Sequence, residues 1–390
     1  VRIKIKEISS MSELDKLISE LAATARNTRE AVRKAKEETG KEAAGCFLGF
    51  GPEELADAAG LLPVSVWGDD REIEKARRYY PAFFCAPVQQ MLEQAMGGEY
   101  DGLLSAMIMP VYCDALRSAG QNFKTAVPHI PVIPVVYPAN RKGRSGREFL
   151  ASEYRSAGKA LEKITGKKIT EKALQDSIEV YNRYRSAMRE FVKEASGHPD
   201  IITPYLRHML IKAAGCQDKR IYTEKIGRLT RLLKKEPVRD WNGNKVILTG
   251  ILLESEQILK KMESHNLAVL SDYLLQESLQ FQTDAPVEGK DSFYRLACRF
   301  ADLKFCSVAM DPEKSRISRL CEEAIENQAG VIVCIPSFCD PEEYDYPLMR
   351  QALDEKGIKH ICLELNTSFV SSQAETLLQT FAEMERGREK

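Results

Sequence analysis

The 390-residue sequence has almost no charge imbalance, with Lys and Arg numbering 56 against 57 Asp and Glu for a net −1. No global basic field is therefore available to hold a nucleic-acid backbone. No apolar run approaches the roughly 18 residues that a bilayer span needs. The opening stretch, Val1 to Leu14, lacks the apolar core of a secretory signal, so a soluble cytoplasmic protein is expected. The sequence contains no CxxC, HExxH or GxSxG, and Gly49-Phe50-Gly51 is an incomplete phosphate loop without a Walker lysine. Five histidines (His129, His198, His208, His265 and His360) are scattered without ligand spacing and read as structural or exposed. Ten cysteines are too dilute for a disulfide scaffold.

Hydrophobic residues make up 44% of the chain, enough for sizeable cores, and the length predicts about two to three domains. Ser12-x-x-Asp15 reads as a capping box opening a helix with Leu14, Leu17, Ile18 and Leu21 on one stripe, expected to run to Gly40. Strands are expected at Gly45–Phe50, Leu61–Trp67, Gly102–Met109 and Val132–Tyr137, with a helix over Pro52–Ala59. From about Ser145 to Val238 the pattern turns to long amphipathic stretches: Glu148–Thr165, Thr170–Ala195, Pro204–Ala214 and Thr223–Lys235. Strands then resume at Lys245–Gly250, Leu267–Ser271, Gly330–Ile335 and His360–Leu365. The helices expected between and after them cover Ser255–Ser264, Ser292–Leu303, Pro312–Asn327, Pro347–Glu355 and Gln373–Arg386.

Strands alternating with helices imply parallel sheets covered on both faces. The expected fold class is α/β, with two parallel-sheet (Rossmann- or flavodoxin-like) domains and a helical segment. The expected division is an N-terminal helical segment over 1–40, a first α/β domain over 41–145, a helical domain over 146–240 and a second α/β domain over 241–390.

One internal echo singles out two cysteines. A first-half strand ends in Pro110-Val-Tyr-Cys113-Asp114 and a second-half strand ends in Pro336-Ser-Phe-Cys339-Asp340. Ligands of open parallel sheets gather outside the carboxyl ends of the strands, so both cysteines would point into a cleft between the domains. A third candidate, Cys85 in Phe83-Phe84-Cys85-Ala86-Pro87, also sits just before a helix. Helix N-termini favour thiolate, and thiolates hold iron–sulfur clusters. Three protein thiolates leave one iron of a [4Fe–4S] cube free for an exogenous ligand.

The competing reading is core packing, the usual fate of a free cysteine. It is assigned to Cys216, Cys298, Cys306, Cys321, Cys334 and Cys362, while Cys46, a strand residue, is placed facing the cleft. For Cys113 and Cys339 the spacing leaves both readings open. Glu53-Glu54 in a first helical turn suits the helix dipole better than catalysis. The run Arg141-Lys142-Gly143-Arg144-Ser145-Gly146-Arg147 reads as a solvated loop, or one that meets an acidic partner or cofactor phosphates.

At these residues the chain resembles the 2-hydroxyacyl-CoA dehydratase family, related to the benzoyl-CoA reductase subunits. The resemblance rests on Gly45-Cys-Phe-Leu-Gly-Phe-Gly-Pro-Glu-Glu-Leu55, Ala58-Ala-Gly-Leu-Leu-Pro-Val64, Pro110-Val-Tyr-Cys-Asp114 and Phe338-Cys-Asp-Pro-Glu-Glu-Tyr-Asp-Tyr-Pro347. It implies a heterodimer of homologous subunits, each with a [4Fe–4S] cluster in the cleft, and an ATP-dependent iron–sulfur activator that delivers one electron. It implies reduction of an (R)-2-hydroxyacyl-CoA to a ketyl radical, loss of water and release of the (E)-2-enoyl-CoA, in the amino-acid fermentation of an anaerobe.

Carried over residue by residue, the family's cluster ligands fall on Cys85, Cys113 and Cys339. The stretches Leu62-Pro-Val-Ser-Val-Trp-Gly68 and Leu104-Ser-Ala-Met-Ile-Met-Pro-Val-Tyr112 resemble the β-type subunit, which relays the electron, so no catalytic acid or base is assigned. Some members carry flavin (FMN), for which this sequence offers no support. The alternatives are a stand-alone member acting as an acyl-CoA-type reductase, and a cluster-carrying electron-transfer protein without its own substrate site. A metal-free α/β binding protein is the remaining alternative.

Overall fold

The computed structural model describes residues 11–69, 71–365 and 372–386. Ser12 opens helix α1 (Glu13–Arg26), its Oγ accepting from the Asp15 amide at 3.1 Å, and the Leu14, Leu17, Ile18 and Leu21 stripe is buried. The helix does not continue to Gly40. Asn27 leaves helical geometry (φ −125°, ψ 70°), closes α1 and caps a second helix, α2 (Thr28–Thr39), by accepting from the Glu30 amide. An Asn with Glu three residues later is a start signal, and here it divides an otherwise continuous stripe. Gly40, at φ 65°, stops α2 in the left-handed conformation.

The first sheet follows: β1 (Ala43–Phe47), α3 (Glu53–Ala58), β2 (Leu62–Val66), α4 (Ala86–Met96), β3 (Leu104–Val111), α5 (Asp114–Ala126) and β4 (Val132–Val136). The strand expected over Gly45–Phe50 ends at Phe47, because Leu48 (φ 52°) and Gly49 (φ 66°) turn left-handed. A helical stretch comes next: α6 (Arg144–Thr165), α7 (Glu171–Ala195), α8 (Pro204–Ala213) and α9 (Lys219–Leu233).

The second sheet is formed by β5 (Asn244–Gly250), α10 (Glu256–Ser264), β6 (Leu267–Leu274), α11 (Ser278–Phe281), α12 (Ser292–Ala301), α13 (Ser315–Glu326), β7 (Gly330–Pro336), α14 (Asp340–Glu355), β8 (His360–Leu365) and α15 (Ser372–Arg386). Helix α14 begins seven residues before the expected Pro347. Three acids (Asp340, Glu342, Glu343) and Pro341 make a favourable first turn, and Pro347 sits inside the helix.

Both sheets are four-stranded and wholly parallel, ordered β2-β1-β3-β4 and β6-β5-β7-β8. The fold is α/β. In each sheet the winding reverses between its first and third strands, which opens a crevice at their carboxyl ends.

One core gathers the first sheet, its helices and the near face of the second sheet, including Ile247, Val331 and Val333. The other packs the opposite face of the second sheet (Val246, Leu248, Ile332, Cys334) against α1, α7, α8, α9, α10 and α15. Among the described residues no helix is long and apolar enough to cross a membrane.

The basic run Arg141–Arg147 is not uniformly solvated. Arg141 is buried and donates to the backbone carbonyls of Phe300 (3.0 Å), Ala301 and Ala309, tying the loop before α6 to the end of α12. A guanidinium carries five donors in a fixed fork, so one side chain serves three carbonyls from the other half of the chain. Lys142, Arg144 and Ser145 stay exposed.

Candidate functional site

The two echoed cysteines occupy equivalent places. Strand β3 leads through Tyr112 to Cys113, the N-cap of α5, and β7 leads through Ser337-Phe338 to Cys339, the N-cap of α14. Cys85 is the N-cap of α4. The structure brings all three to one cavity of about 40 Å³. Leu48 follows β1 and Ile251 follows β5, so the walls come from beyond the first and third strands of both sheets. The crevices at the two reversal points thus meet face to face. The backbone joins there as well, the Ala86 amide donating to the Ser337 carbonyl at 3.4 Å.

Two turns at this place are strained. Phe338 (φ 62°) and Leu48 (φ 52°) both hold left-handed backbone without being glycine, a conformation that costs about 1–3 kcal/mol and persists only where the surroundings impose it. Behind the cysteines lies an aromatic cluster: Phe50 stacks on Tyr112 at 6.3 Å between centroids, and Phe300 meets Tyr137 at 4.6 Å. The Tyr112 hydroxyl is buried without a hydrogen-bond partner, one residue from Cys113.

Electrostatically the cavity opposes free thiolates. Burial pushes the Cys113 thiol up to about 11, although amides of the α5 N-terminus pull the other way. The Cys85 thiol beside it, and then burial, push Cys339 well above the ordinary thiol range. Ionisation at this site therefore calls for a cation, since a metal deprotonates the thiols it binds. Among the described residues no group of three or more His, Cys, Asp or Glu is gathered tightly enough for one metal ion. In a cube-type cluster each thiolate takes a different iron, so its ligands stand further apart than those of a single ion. Three soft donors, apolar walls and three helix N-termini are a donor set of that kind.

The other cysteines behave differently. Cys46 is buried in β1 and does not line the cysteine cavity, contrary to the reading that it faces the cleft. Cys216, Cys298, Cys306, Cys321 and Cys334 are buried, and Cys362 is half-buried in β8. Glu53 and Glu54 do more than complement a helix dipole. Glu54 is buried against Arg185 of α7, and Glu53 accepts from Ser65 at 3.0 Å and pairs with Lys219 at 3.1 Å.

A buried ionic network escaped the sequence reading. Arg207 of α8 pairs with Asp272 and Glu277, His208 Nδ1 lies 2.9 Å from Glu277, and Lys212 pairs with Glu254. The charges of α8 lie among apolar neighbours, and of their acidic partners Glu254 follows β5, Asp272 lies near the end of β6 and Glu277 follows it. That pairing is invisible until the second sheet is assembled. His208 is raised to about 9: burial opposes the charge, but Glu254 and Glu277 outweigh it.

Comparison with known proteins identifies the family. Residues 49–384 match the family described as 2-hydroxyglutaryl-CoA dehydratase, D-component. The chain is 42% identical to the (R)-phenyllactyl-CoA dehydratase beta subunit of Clostridium sporogenes, over 96% of this chain and all of that one. It is 38% identical to the lactoyl-CoA dehydratase subunit beta of Anaerotignum propionicum, over 96% of this chain and all of that one. Identity to the (R)-2-hydroxyglutaryl-CoA dehydratase subunit beta of Acidaminococcus fermentans is 37%, over 94% and 98% of the two chains. With three cysteines converging between two like sheets and a match that spans both, the chain belongs to the 2-hydroxyglutaryl-CoA dehydratase D-component family.

Proposed function

We propose that this chain is the β-type subunit of an (R)-2-hydroxyacyl-CoA dehydratase, a hydro-lyase that forms (E)-2-enoyl-CoA, and that Cys85, Cys113 and Cys339 hold a [4Fe–4S] cluster. The observation that carries the reading is the convergence of these three cysteines, from three separate segments, on one cavity. When bound, the cluster supplies one-electron chemistry at low potential. The partners of this reading are a homologous α subunit, in keeping with relatives named as beta subunits, and, as the family resemblance implies, an ATP-dependent activator protein.

The chain's own residues have definable tasks. The N-termini of α4, α5 and α14 direct backbone amides at the negative charge of thiolate-bound iron. Leu48, Ile251, Leu275 and Val308 keep water from the sulfurs. The Arg141 clasp and the Ala86–Ser337 hydrogen bond hold the two halves in register across the cavity.

The test is iron and acid-labile sulfide per chain after strictly anaerobic purification, where about four of each are expected. A folded, oxygen-protected sample with neither would return the three cysteines to ordinary core and end this reading.

A further inference from the structure

Cys85 and Cys339 are free cysteines that stand thiol to thiol on the wall of the cysteine cavity. Their backbones run side by side, because the Ala86 amide donates to the Ser337 carbonyl at 3.4 Å. The third cysteine is engaged elsewhere: the Cys113 sulfur faces the Leu116 and Ala115 amides of its own helix. The pair therefore has the close approach that a disulfide requires, while Cys113 is held apart from it.

Access to the two sulfurs is unequal. Cys339 is only 5% exposed, whereas Cys85 is half-buried and follows the exposed stretch Pro81-Ala82-Phe83. An oxidant arriving from solvent meets Cys85 first, with the Cys339 thiol directly behind it. A cysteine oxidised once condenses with an adjacent thiol before it climbs to the irreversible sulfinic stage.

We propose that Cys85 and Cys339, when they hold no cluster, form a peroxide-sensitive switch that closes as a disulfide across the cavity. Hydrogen peroxide transfers one oxygen to the Cys85 sulfur, which gives a sulfenic acid and one water. The Cys339 sulfur then attacks the Cys85 sulfur. The S–S bond forms, the S–O bond breaks, and the hydroxyl leaves with the Cys339 proton as a second water. The two thiols lose two electrons, which the peroxide gains, and a dithiol reductant returns them by thiol–disulfide exchange.

The bridge joins the N-terminus of α4 to that of α14, hence the first half of the chain to the second, and closes a loop of about 250 residues. It also removes two of the three sulfurs assigned to iron, so the bridged chain must be reduced before it can be loaded. That second consequence rests on the cluster reading, and the bridge itself does not.

The test uses the full chain, with its partner subunit where the two co-purify, freed of iron by a chelator under nitrogen. A small excess of hydrogen peroxide is added, remaining thiols are alkylated, and the digest is mapped by mass spectrometry without reductant. A peptide linked through Cys85 and Cys339 is expected, together with faster migration of the denatured chain on a non-reducing gel. Cys113→Ser should still form the bridge, whereas Cys85→Ser and Cys339→Ser should not. A dithiol should reverse both signals. The bridged chain should take up at least about tenfold less iron and sulfide than the reduced chain.

Mapping on the unsubstituted chain decides the matter even if a variant folds poorly. Linkage through Cys113, Cys85 recovered chiefly as sulfinic acid, or both cysteines alkylated after peroxide would each overturn the proposal. Iron uptake that fails in the reduced chain as well would end the cluster reading and leave a mapped bridge standing, so the two failures are distinguishable.

Discussion

Replacement of Arg316 by leucine tests how Cys339 is positioned. Arg316 of α13 is buried and grips the first turns of α14. Nη1 donates to Glu342 Oε1 at 2.7 Å, and Nη2 donates to Glu342 Oε2 at 3.0 Å and to Asp345 Oδ2 at 3.1 Å. Glu342 is itself almost fully buried, accepts from Ser307 at 2.6 Å, and its amide donates to the Cys339 carbonyl at 3.0 Å.

Arg316→Leu would leave the Glu342 carboxylate inside the protein with only a serine hydroxyl as side-chain donor. Breaking one side of a buried ion pair costs about 3–5 kcal/mol, and Lys314 offsets a part by holding Asp345. With a urea slope of about 2.5 kcal/mol per molar, the midpoint should fall by about 1–2 M. The Arg316→Leu/Glu342→Leu pair should recover most of the loss, because no charge is then stranded. Urea unfolding of the four proteins of this cycle, with iron content measured on each, is the assay. A loss under about 1 kcal/mol in Arg316→Leu, or a double variant no better than the single, would refute the argument.

Cys113→Ser and Cys339→Ser should each abolish most of the iron content and the dehydration activity, whereas Cys321→Ala, in the core, should retain both at a cost of about 1 kcal/mol in stability. His208 is raised in the folded state to about 9 from an unfolded value of about 6.5. Its contribution is therefore fully present below about pH 6.5 and lost as pH rises towards 9. Thermal unfolding between pH 6 and 9.5 should show that decline, and His208→Gln should flatten it. Arg141→Ala would strip three carbonyls of their donor, so amide exchange should accelerate over Phe300–Ala309 while α15 is unaffected. Equal exchange in both proteins would show that the clasp carries no load.

Local pattern was enough for some features and insufficient for others. The alternation of apolar runs with amphipathic stretches determined the α/β class, because a strand buried on both faces and a helix with one apolar stripe leave different periodicities. The repeated Pro-x-aromatic-Cys-Asp was legible because the same strand–turn–helix element is built twice, and a turn has its own residue requirements.

Tertiary structure decided which distant segments meet. Cys85 joins Cys113 and Cys339 only once the crevices of two like sheets face each other. Arg141 looked like part of a solvated run, yet three carbonyls more than 150 residues away draw its guanidinium inside. The charges of α8 find their acids at and beyond the ends of β5 and β6, which makes a buried network that no local pattern announces. Periodicity records which way a residue faces, whereas the partner that makes burial of a charge tolerable is supplied by another part of the chain.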